Sequence, residues 1–497
     1  MRWALNQCAQ CQVEVIAAAG DLTAAGELTA VSRVRHLLYT AAVPFVSTPG
    51  NAELRTPDVS ARARSELAVP ATYLGDGWSM QTIDTANGSV SACEKTRVEK
   101  TLGDCSGAVV LLTHWPPYEL PGADAAWLEA VCAAHPIQLL VAGHKHFDAV
   151  SKMGGIPVHL VRGLDPDKAK HAPPAVAVFS QAASGNWQRQ DVAWPGGDPR
   201  TWSAASRSEF AGWLGVSTMS RTLPHLREAT AAAVPCVELR ADAALQCDQE
   251  ELAVSVQRWR ATGGHTLSVH ASYLRWSDGT VKGDTSFATS VDLALRLQAD
   301  RLTVHVPCAS LRQMIPDSMP WNGFAAAFTR LLAPVAAAGM VIGVENMHMR
   351  AGEPRDDRRG FGYLPEECMA WVRQLRDMLP GATVGLHLDL GHARNNAPWS
   401  QRWTLGHWYA AVGSEVVGYH LHQVNANGNH QPLHQPFGPL MSLSSFFWGW
   451  STGQLARAPV FLEIRGEPGR VSRQYMLHYI GLKADSDSGA GALPIDP

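Results

Sequence analysis

Ala382-Thr-Val-Gly-Leu-His-Leu-Asp-Leu-Gly-His392 is a β-branched and apolar run that climbs to Asp389, turns on Gly391 and presents His392 just beyond. A carboxylate at a strand's end and an imidazole one turn later can reach a single divalent ion. The same half of the chain repeats this plan. Strand-type runs at Trp213–Thr218, Val234–Leu239, Thr266–His270, Arg301–Val306, Met340–Glu345, Thr383–Asp389, Val416–His422 and Val460–Ile464 alternate with helical segments. These include Leu223–Ala233, Gln249–Ala261, Ser286–Ala299, Phe324–Ala338 and Pro365–Leu379, the last with Met369, Val372, Leu375 and Met378 at helical spacing. Further helices are expected at Trp399–Val412, Leu443–Arg457 and Ser472–Ile480. Eight strand–helix units in roughly 270 residues is the arithmetic of a (β/α)8 barrel, with an open doubly wound sheet as the alternative.

Chemistry in such a barrel gathers at the C-terminal strand ends. Taken in order, those ends carry His270, His305, Glu345, Asp389 with His392, His420 with His422, and Glu463. Any one of these histidines reads equally well as a hydrogen-bonded structural residue. For Glu345 and Glu463 a bare carboxylate in a barrel mouth is costly, and a cation offsets the cost. The joint pattern points to a metal centre.

The totals bound the rest. Length, 497 residues, fits about two to four domains. A hydrophobic share of 46% and a charged share of 17% describe a soluble globular chain, and no stretch suffices to span a bilayer. The start, Met-Arg-Trp-Ala-Leu-Asn-Gln-Cys, lacks the plan of a signal peptide, and the 9 cysteines show no framework spacing, so a cytoplasmic protein with reduced thiols is expected. Cys8 and Cys11 form one CxxC without a second pair and read as ordinary residues. A net charge of −4 gives no support to avid nucleic-acid binding.

The first half opens with a helix at Arg2–Gln10 and apolar strands at Val13–Gly20, Val43–Thr48, Ala108–Thr113 and Ile137–Ala142. Each strand ends in polar punctuation: Gly20-Asp21, Gly50-Asn51-Ala52-Glu53, Thr113-His114 and Gly143-His144-Lys145-His146. Most such pairs alone are turns; the ordered set of four suggests a metal site at one sheet edge. Further strands are expected at Ile156–Val161, Ala175–Phe179 and Trp187–Ala193. Residues 196–208, rich in Pro, Gly and Ser, read as a linker between domains 1–195 and 209–483, and 484–497 as a disordered tail.

Over most of residues 10–195 the chain resembles the calcineurin-like metallophosphoesterases. Their ordered motifs are an Asp-x-His, a Gly-Asp, a Gly-Asn-His-Asp/Glu, a lone His and a Gly-His-x-His. The resemblance implies an α/β sandwich in which Asp21 bridges two metals, Asn51, His114 and His144 serve one, and His146 serves the other. Two ions would clamp a phosphoryl group and activate a hydroxide. No Asp-x-His precedes Asp21, as though the N-terminus were truncated, and Ala52 stands where the family has the assisting histidine. An impaired phosphoesterase holding one metal is the expectation.

The second half resembles the xylose isomerase-like barrel superfamily, on Ser-Val-His-Ala-Ser-Tyr (268–273), Gly-Val-Glu-Asn (343–346), His-Leu-Asp-Leu-Gly-His-Ala (387–393), His-Leu-His (420–422), His-Gln-Pro-Phe-Gly (434–438) and Leu-Glu-Ile-Arg (462–465). In its epimerases a Glu, an Asp, a His and a second Glu hold one Mn, Mg or Co ion, positions that match Glu345, Asp389, His420 and Glu463. The resemblance implies a sugar or sugar-phosphate isomerase or epimerase. The ion would stabilise an enediolate, Glu345 and Glu463 would move the proton, and His392 would hold a substrate oxygen. The endonuclease IV branch, with three zincs and abasic DNA as substrate, is the alternative. His270, His305, His392 and His434 match its further ligands, while Pro432 and Gln423 replace two aspartates, for which Asn429 or His430 could stand in. His422 and Arg465 complete the candidate substrate or metal contacts, and Tyr273 could stack on a sugar or base. Arg350, Arg355, Arg358 and Arg359, mixed with Glu353, Asp356 and Asp357, read as a solvated loop, with a sugar phosphate as second choice. Balanced charge favours the isomerase over the nuclease by roughly two to one. A small sugar as partner, no membrane and a homo-oligomer are the accompanying expectations. A degenerate scaffold is the third class.

Overall fold

A computed structural model of the chain describes residues 1–41, 43–68, 71–105, 107–168, 173–182, 185–350, 352–396, 403–425, 428–433, 443–465 and 469–482. His434 and the 484–497 tail lie outside these residues. The chain divides into two compact units, Met1–Gly197 and Asp198–Pro497.

The second unit is a closed eight-stranded barrel, not an open sheet. Its staves are β1 (Leu214–Ser217), β2 (Cys236–Arg240), β3 (Thr266–His270), β4 (Arg301–His305), β5 (Val341–Glu345), β6 (Val384–Asp389), β7 (Val416–Leu421) and β8 (Val460–Leu462). All pair in parallel, and Leu214 opposite Val460 closes the ring. Residues alternate between the two faces of each stave. The outward set (Val237, Leu239, Leu267, Val269, Leu302, Val304, Ile342, Val344) is buried against helices that supply the fully buried Trp259, Phe287, Phe328 and Trp371. Each such apolar side chain stabilises the fold by roughly 1.5–3 kcal/mol.

The inward set is polar. Arg301 lies at the bottom of the barrel. Glu238, Ser268, Thr303 and His387 form a middle layer, and Arg240, His270, His305, Glu345 and Asp389 form the top. Bulky branched residues ordinarily fill these layers. The bare backbone of Gly418 makes room for this arrangement, since a Cβ there would lie 2.7 Å from His387 Nδ1 and 3.1 Å from the Arg301 guanidinium.

In the first unit a six-stranded sheet runs in the order Thr72–Leu74, Trp78–Thr82, Ala108–Thr113, Ile137–Ala142, Ile156–Leu160, Ala149–Met153. Its interior pairs are parallel and its edge pairs antiparallel. Ile16–Ala19 pairs with Phe45–Thr48, and Ala175–Gln181 with Trp187–Ala193, as two small sheets. Val46, Phe179 and Trp187 share a core with Val110, Leu112, Leu139 and Val141, so the small sheets face the large one. Helices Ala92–Gly103 and Gly122–Ala134 bury Val98, Leu102, Leu128 and Val131 against its other face.

Two expectations need correction, and one strand was missed. The 196–208 linker is partly helical: Ala204–Trp213 is a helix with Phe210 fully buried. Ser203 caps it by accepting from the Ser206 N–H at 3.1 Å, so the serines that suggested a linker are a helix start. Trp78–Thr82 is an interior strand of the six-stranded sheet that was not foreseen, a five-residue run (Trp-Ser-Met-Gln-Thr) whose polar members are buried along with Met80. Its Gln81 is buried, with Nε2 donating to the Ala71 and Thr82 carbonyls at 3.2 and 2.9 Å. The Leu443–Arg457 helix ends at Ser451, and of Trp399–Val412, described from Trp403 onward, Leu405–Val412 is helical.

Candidate metal centre

The barrel fold carries Glu345, Asp389, His420 and Glu463 to one buried point. His420 Nδ1 lies 3.2 Å from Glu345 Oε1, 3.5 Å from Glu463 Oε2 and 3.8 Å from Asp389 Oδ2. Its Nε2 points down the barrel, 2.6 Å from Glu238 Oε1. None of these five residues is more than 1% exposed. Asn346, next to Glu345, fixes the stave ends by accepting from the Asp389 N–H at 2.7 Å and donating to its carbonyl at 3.0 Å.

The hydrogen bonds set the ring tautomers. His270 Nε2–H donates to Glu345 Oε2 at 2.9 Å, with Nδ1 3.2 Å from the Ala271 carbonyl. His392 Nδ1–H donates to the Asn346 carbonyl at 3.0 Å, so its buried Nε2 has no hydrogen bond. Both ring nitrogens of His305 and the Oε2 of Glu463 are likewise buried without one. Lone pairs facing lone pairs in a dry site are costly unless a cation sits among them. The donor set therefore fits a divalent metal.

Electrostatics agree. Burial would raise the Glu345 carboxyl, yet His305, His420 and His270 hold it well below the usual carboxylate range. Against burial, His430 and His420 hold Glu463 low, and His392 and His422 hold Asp389 low. Burial brings His305 down to about 3, which keeps it neutral, as a ligand must be. Against burial, Glu238, Glu463 and Glu345 raise His420 well above its ordinary value. With the His420 and His430 rings neutral, four carboxylates (Glu238, Glu345, Asp389, Glu463) face two guanidiniums (Arg240, Arg301), which leaves two negative charges for one dication.

His422 does not face the centre as a free ligand. Its Nδ1 accepts from the His430 N–H at 2.9 Å, so Nε2 carries the proton and donates to Asp389 Oδ1 and Oδ2 at 3.0 and 3.1 Å. The close pass of this ring over Gly391 is specific: a Cβ there would fall 2.0 Å from His422 Cε1. Gly391→Ala is expected to cost about 1–3 kcal/mol as overpacking and to lower the melting temperature.

Sequence reasoning overlooked Glu238, His387 and His348, and weighed His430 only as a stand-in. Glu238 sits mid-stave, away from the rim where ligands were sought. His348 lies over His392 with ring centroids 4.4 Å apart. His430 lies beside Glu463 on a left-handed backbone (φ 62°), a strained position of the kind that clusters at functional sites. Tyr273 stacks on His305 at 4.3 Å. Arg465 is exposed and contributes its backbone N–H, which donates to the His430 carbonyl at 2.9 Å. In the arginine loop, Arg359 is buried and paired with Glu367 through Nη1 at 3.1 Å, so it is not part of a solvated run.

In the first unit Asp21, Asn51, His114 and His144 come together. Asn51 Oδ1 is 3.0 Å from both His114 Nε2 and His144 Nδ1, and Asp21 Oδ1 is 3.5 Å from His114 Nε2. His114 Nδ1–H donates to the Ala19 carbonyl at 2.8 Å, turning the Nε2 lone pair toward the oxygens. His146 packs against Gly163, and Asp21, His144 and His146 all hold positive φ (50°, 67° and 60°). Glu53 ties the loops together from below, accepting from the Thr23 and Gly50 N–H groups at 2.9 and 2.7 Å.

No family model matches the chain, and no curated protein does. Among solved structures, it is similar to a D-tagatose 3-epimerase-like protein at 14% identity and TM-score 0.38, over 54% of this chain and 96% of that one. It is similar to a 3-keto-D-glucoside 4-epimerase from E. coli at 14% identity and TM-score 0.38, over 54% and 98% of the two chains. A D-allulose 3-epimerase from Methylomonas matches at 16% identity and TM-score 0.38, over 55% and 91%. At this level of likeness none of them indicates a substrate or a reaction for this chain. Among the described residues no helix is long and apolar enough to cross a membrane.

Proposed function

We propose that the barrel is a divalent-metal-dependent isomerase or epimerase of sugars or sugar phosphates. One observation carries the reading: a single imidazole nitrogen, His420 Nδ1, lies within 3.8 Å of one oxygen from each of three buried carboxylates. Mn, Mg, Co or Zn held there would polarise a carbonyl and its neighbouring hydroxyl. Glu463 has Oε1 tied to Arg240 at 3.2 Å, while Oε2, 3.1 Å from His430 Nδ1 and 3.5 Å from His420 Nδ1, is the oxygen turned to the centre and would take a proton from carbon. Glu345 would deliver a proton drawn from solvent to the adjoining carbon, and the proton left on Glu463 would pass to solvent, so both exchange with water in each turnover. His392 Nε2 is free to accept a substrate hydroxyl. The charge balance with one dication suits a substrate of low charge.

A second reading, phosphodiester hydrolysis with several zincs, is favoured by a further donor group that shares Glu345 with the first. Ring nitrogens of His270 and His305 and a Glu345 oxygen all lie within 4.8 Å of one another. For the first unit the proposal is a metallophosphoesterase-like domain holding one ion on Asp21, Asn51, His114 and His144. Ala52, fully buried, leaves it without the assisting imidazole. Nine free thiols accord with a cytoplasmic setting.

Metal counting on the full chain carrying His144→Ala, which disables the first unit's donor group, tests these readings. One ion per chain is expected; about three zincs would favour hydrolysis, and none would remove the enzyme reading. Hydrogen exchange from ketoses and their phosphates, against cleavage of abasic DNA, then separates the reactions. Because His420 is protonated without the ion, metal uptake should release a proton and the affinity should rise with pH. Calorimetry in two buffers of different ionisation enthalpy reads this release. In the ion-free protein the same pairing stabilises the fold below the raised His420 value and is lost as pH climbs through it.

A further inference from the structure

We infer that Glu238 is the positioning residue of this centre. It fixes His420 in the one tautomer that can serve an ion, and so sets metal affinity without touching metal or substrate. The inference rests on the proposed reading of the barrel mouth.

Glu238 lies in the middle of β2, fully buried, one layer beneath the ligands. Its Oε2 accepts from Ser268 Oγ at 2.9 Å and from Thr303 Oγ1 at 2.8 Å, and its Oε1 faces His420 Nε2 at 2.6 Å. A carboxylate offers only lone pairs, so the 2.6 Å contact requires the proton on Nε2. Without that proton two acceptors would stand at hydrogen-bond distance in a dry interior. With it, Nδ1 is the nitrogen left to face Glu345, Asp389 and Glu463. Outer carboxylates that hold a ligating imidazole in this way raise its basicity and lock its orientation. The hydroxyls of β3 and β4 in turn hold the carboxylate, so the device runs across three neighbouring staves into β7.

A competing arrangement uses the same atoms. Donor atoms of Glu238, His387 and His420 lie within 4.8 Å of one another and could enclose an ion of their own. Two hydroxyl donors on Oε2 and a proton-length contact on Oε1 favour hydrogen bonding instead.

The test is Glu238→Gln in the full chain with His144→Ala, titrated with Mn and with Zn by equilibrium dialysis, alongside the melting temperature. An Asp389→Asn control locates the binding at the mouth. The carboxamide can turn its NH2 toward Nε2 and drive the ring proton onto Nδ1, so Kd is expected to rise about 10- to 100-fold with the number of ions unchanged. Glu238→Asp keeps the charge but is one methylene too short to reach Nε2, and should show a smaller rise. It also serves if the glutamine variant does not fold. An unchanged Kd with a lowered melting temperature would make Glu238 merely structural and overturn the inference. Loss of one whole ion would make it a ligand and overturn it equally. A parent chain that binds no ion at the mouth sinks the functional reading itself, an outcome visible before any Glu238 variant is compared.

Discussion

Glu345→Gln and Glu463→Gln are each expected to abolish carbon–hydrogen exchange between a bound sugar and solvent, a loss of about 10²–10⁴-fold for removal of a general base. The glutamines keep the volume and one oxygen of each side chain, so part of the metal should stay. The two substitutions act differently. Both oxygens of Glu345 have imidazole neighbours, His270 at 2.9 Å and His420 at 3.2 Å, whereas at Glu463 only Oε2 does, with His430 Nδ1 at 3.1 Å and His420 Nδ1 at 3.5 Å, and Oε1 is held by Arg240 at 3.2 Å. Glu463→Gln should therefore leave more of the ion in place, and Glu345→Gln should weaken binding as well as exchange. Deuterium wash-in followed by mass spectrometry, with metal content measured on the same samples, reads both effects. Exchange that persists in both variants would remove the isomerase reading.

Removal of the ion should be the larger effect on stability. A ligand at 1,000 times its Kd stabilises the folded state by about 4 kcal/mol. For a unit of this size each kcal/mol moves the melting temperature by roughly 2–4 °C. Chelation is thus expected to lower the barrel's transition by on the order of 10 °C in scanning calorimetry, and Asp389→Asn to erase the difference between loaded and chelated protein. The physical cause is the set of buried carboxylates, which repel one another once the dication leaves. A melting temperature indifferent to chelator would mean that protonated His420 and the guanidiniums already balance the mouth.

Much of the barrel was legible because parallel strands buried on both faces leave near-continuous runs that end in polar residues. Thr266–His270 and Gln249–Ala261 were read to the residue, and every stave was found within a few residues of its ends. The rim donors were legible for the same reason, since strand ends are where ligands collect. Glu238 was not, because its neighbours Val237 and Leu239 make β2 look like ordinary core, and a mid-stave carboxylate has no positional signature. The strand Trp78–Thr82 was hidden because its buried polar residues Ser79, Gln81 and Thr82 read as a loop, although Gln81 and Thr82 are satisfied by the Ala71 carbonyl. Ser203 shows the converse error, in which a capping residue imitates a linker. Tautomers and the lock of His422 onto Asp389 depend on atomic contacts between staves, which no one-dimensional pattern encodes.

The polar lining of the barrel has a consequence for how this protein can change. Because cohesion comes from the apolar seam between staves and surrounding helices, and reactivity from the lumen, the two properties occupy different sets of positions. Trp259→Ala or Trp371→Ala should unfold the unit, whereas exchanges among Ser268, Thr303 and His387 should retune acidity and ion preference in a barrel that still assembles. Such a separation makes the lumen a place where laboratory evolution can search new chemistries, provided that each exchange keeps a donor for the buried Glu238 carboxylate.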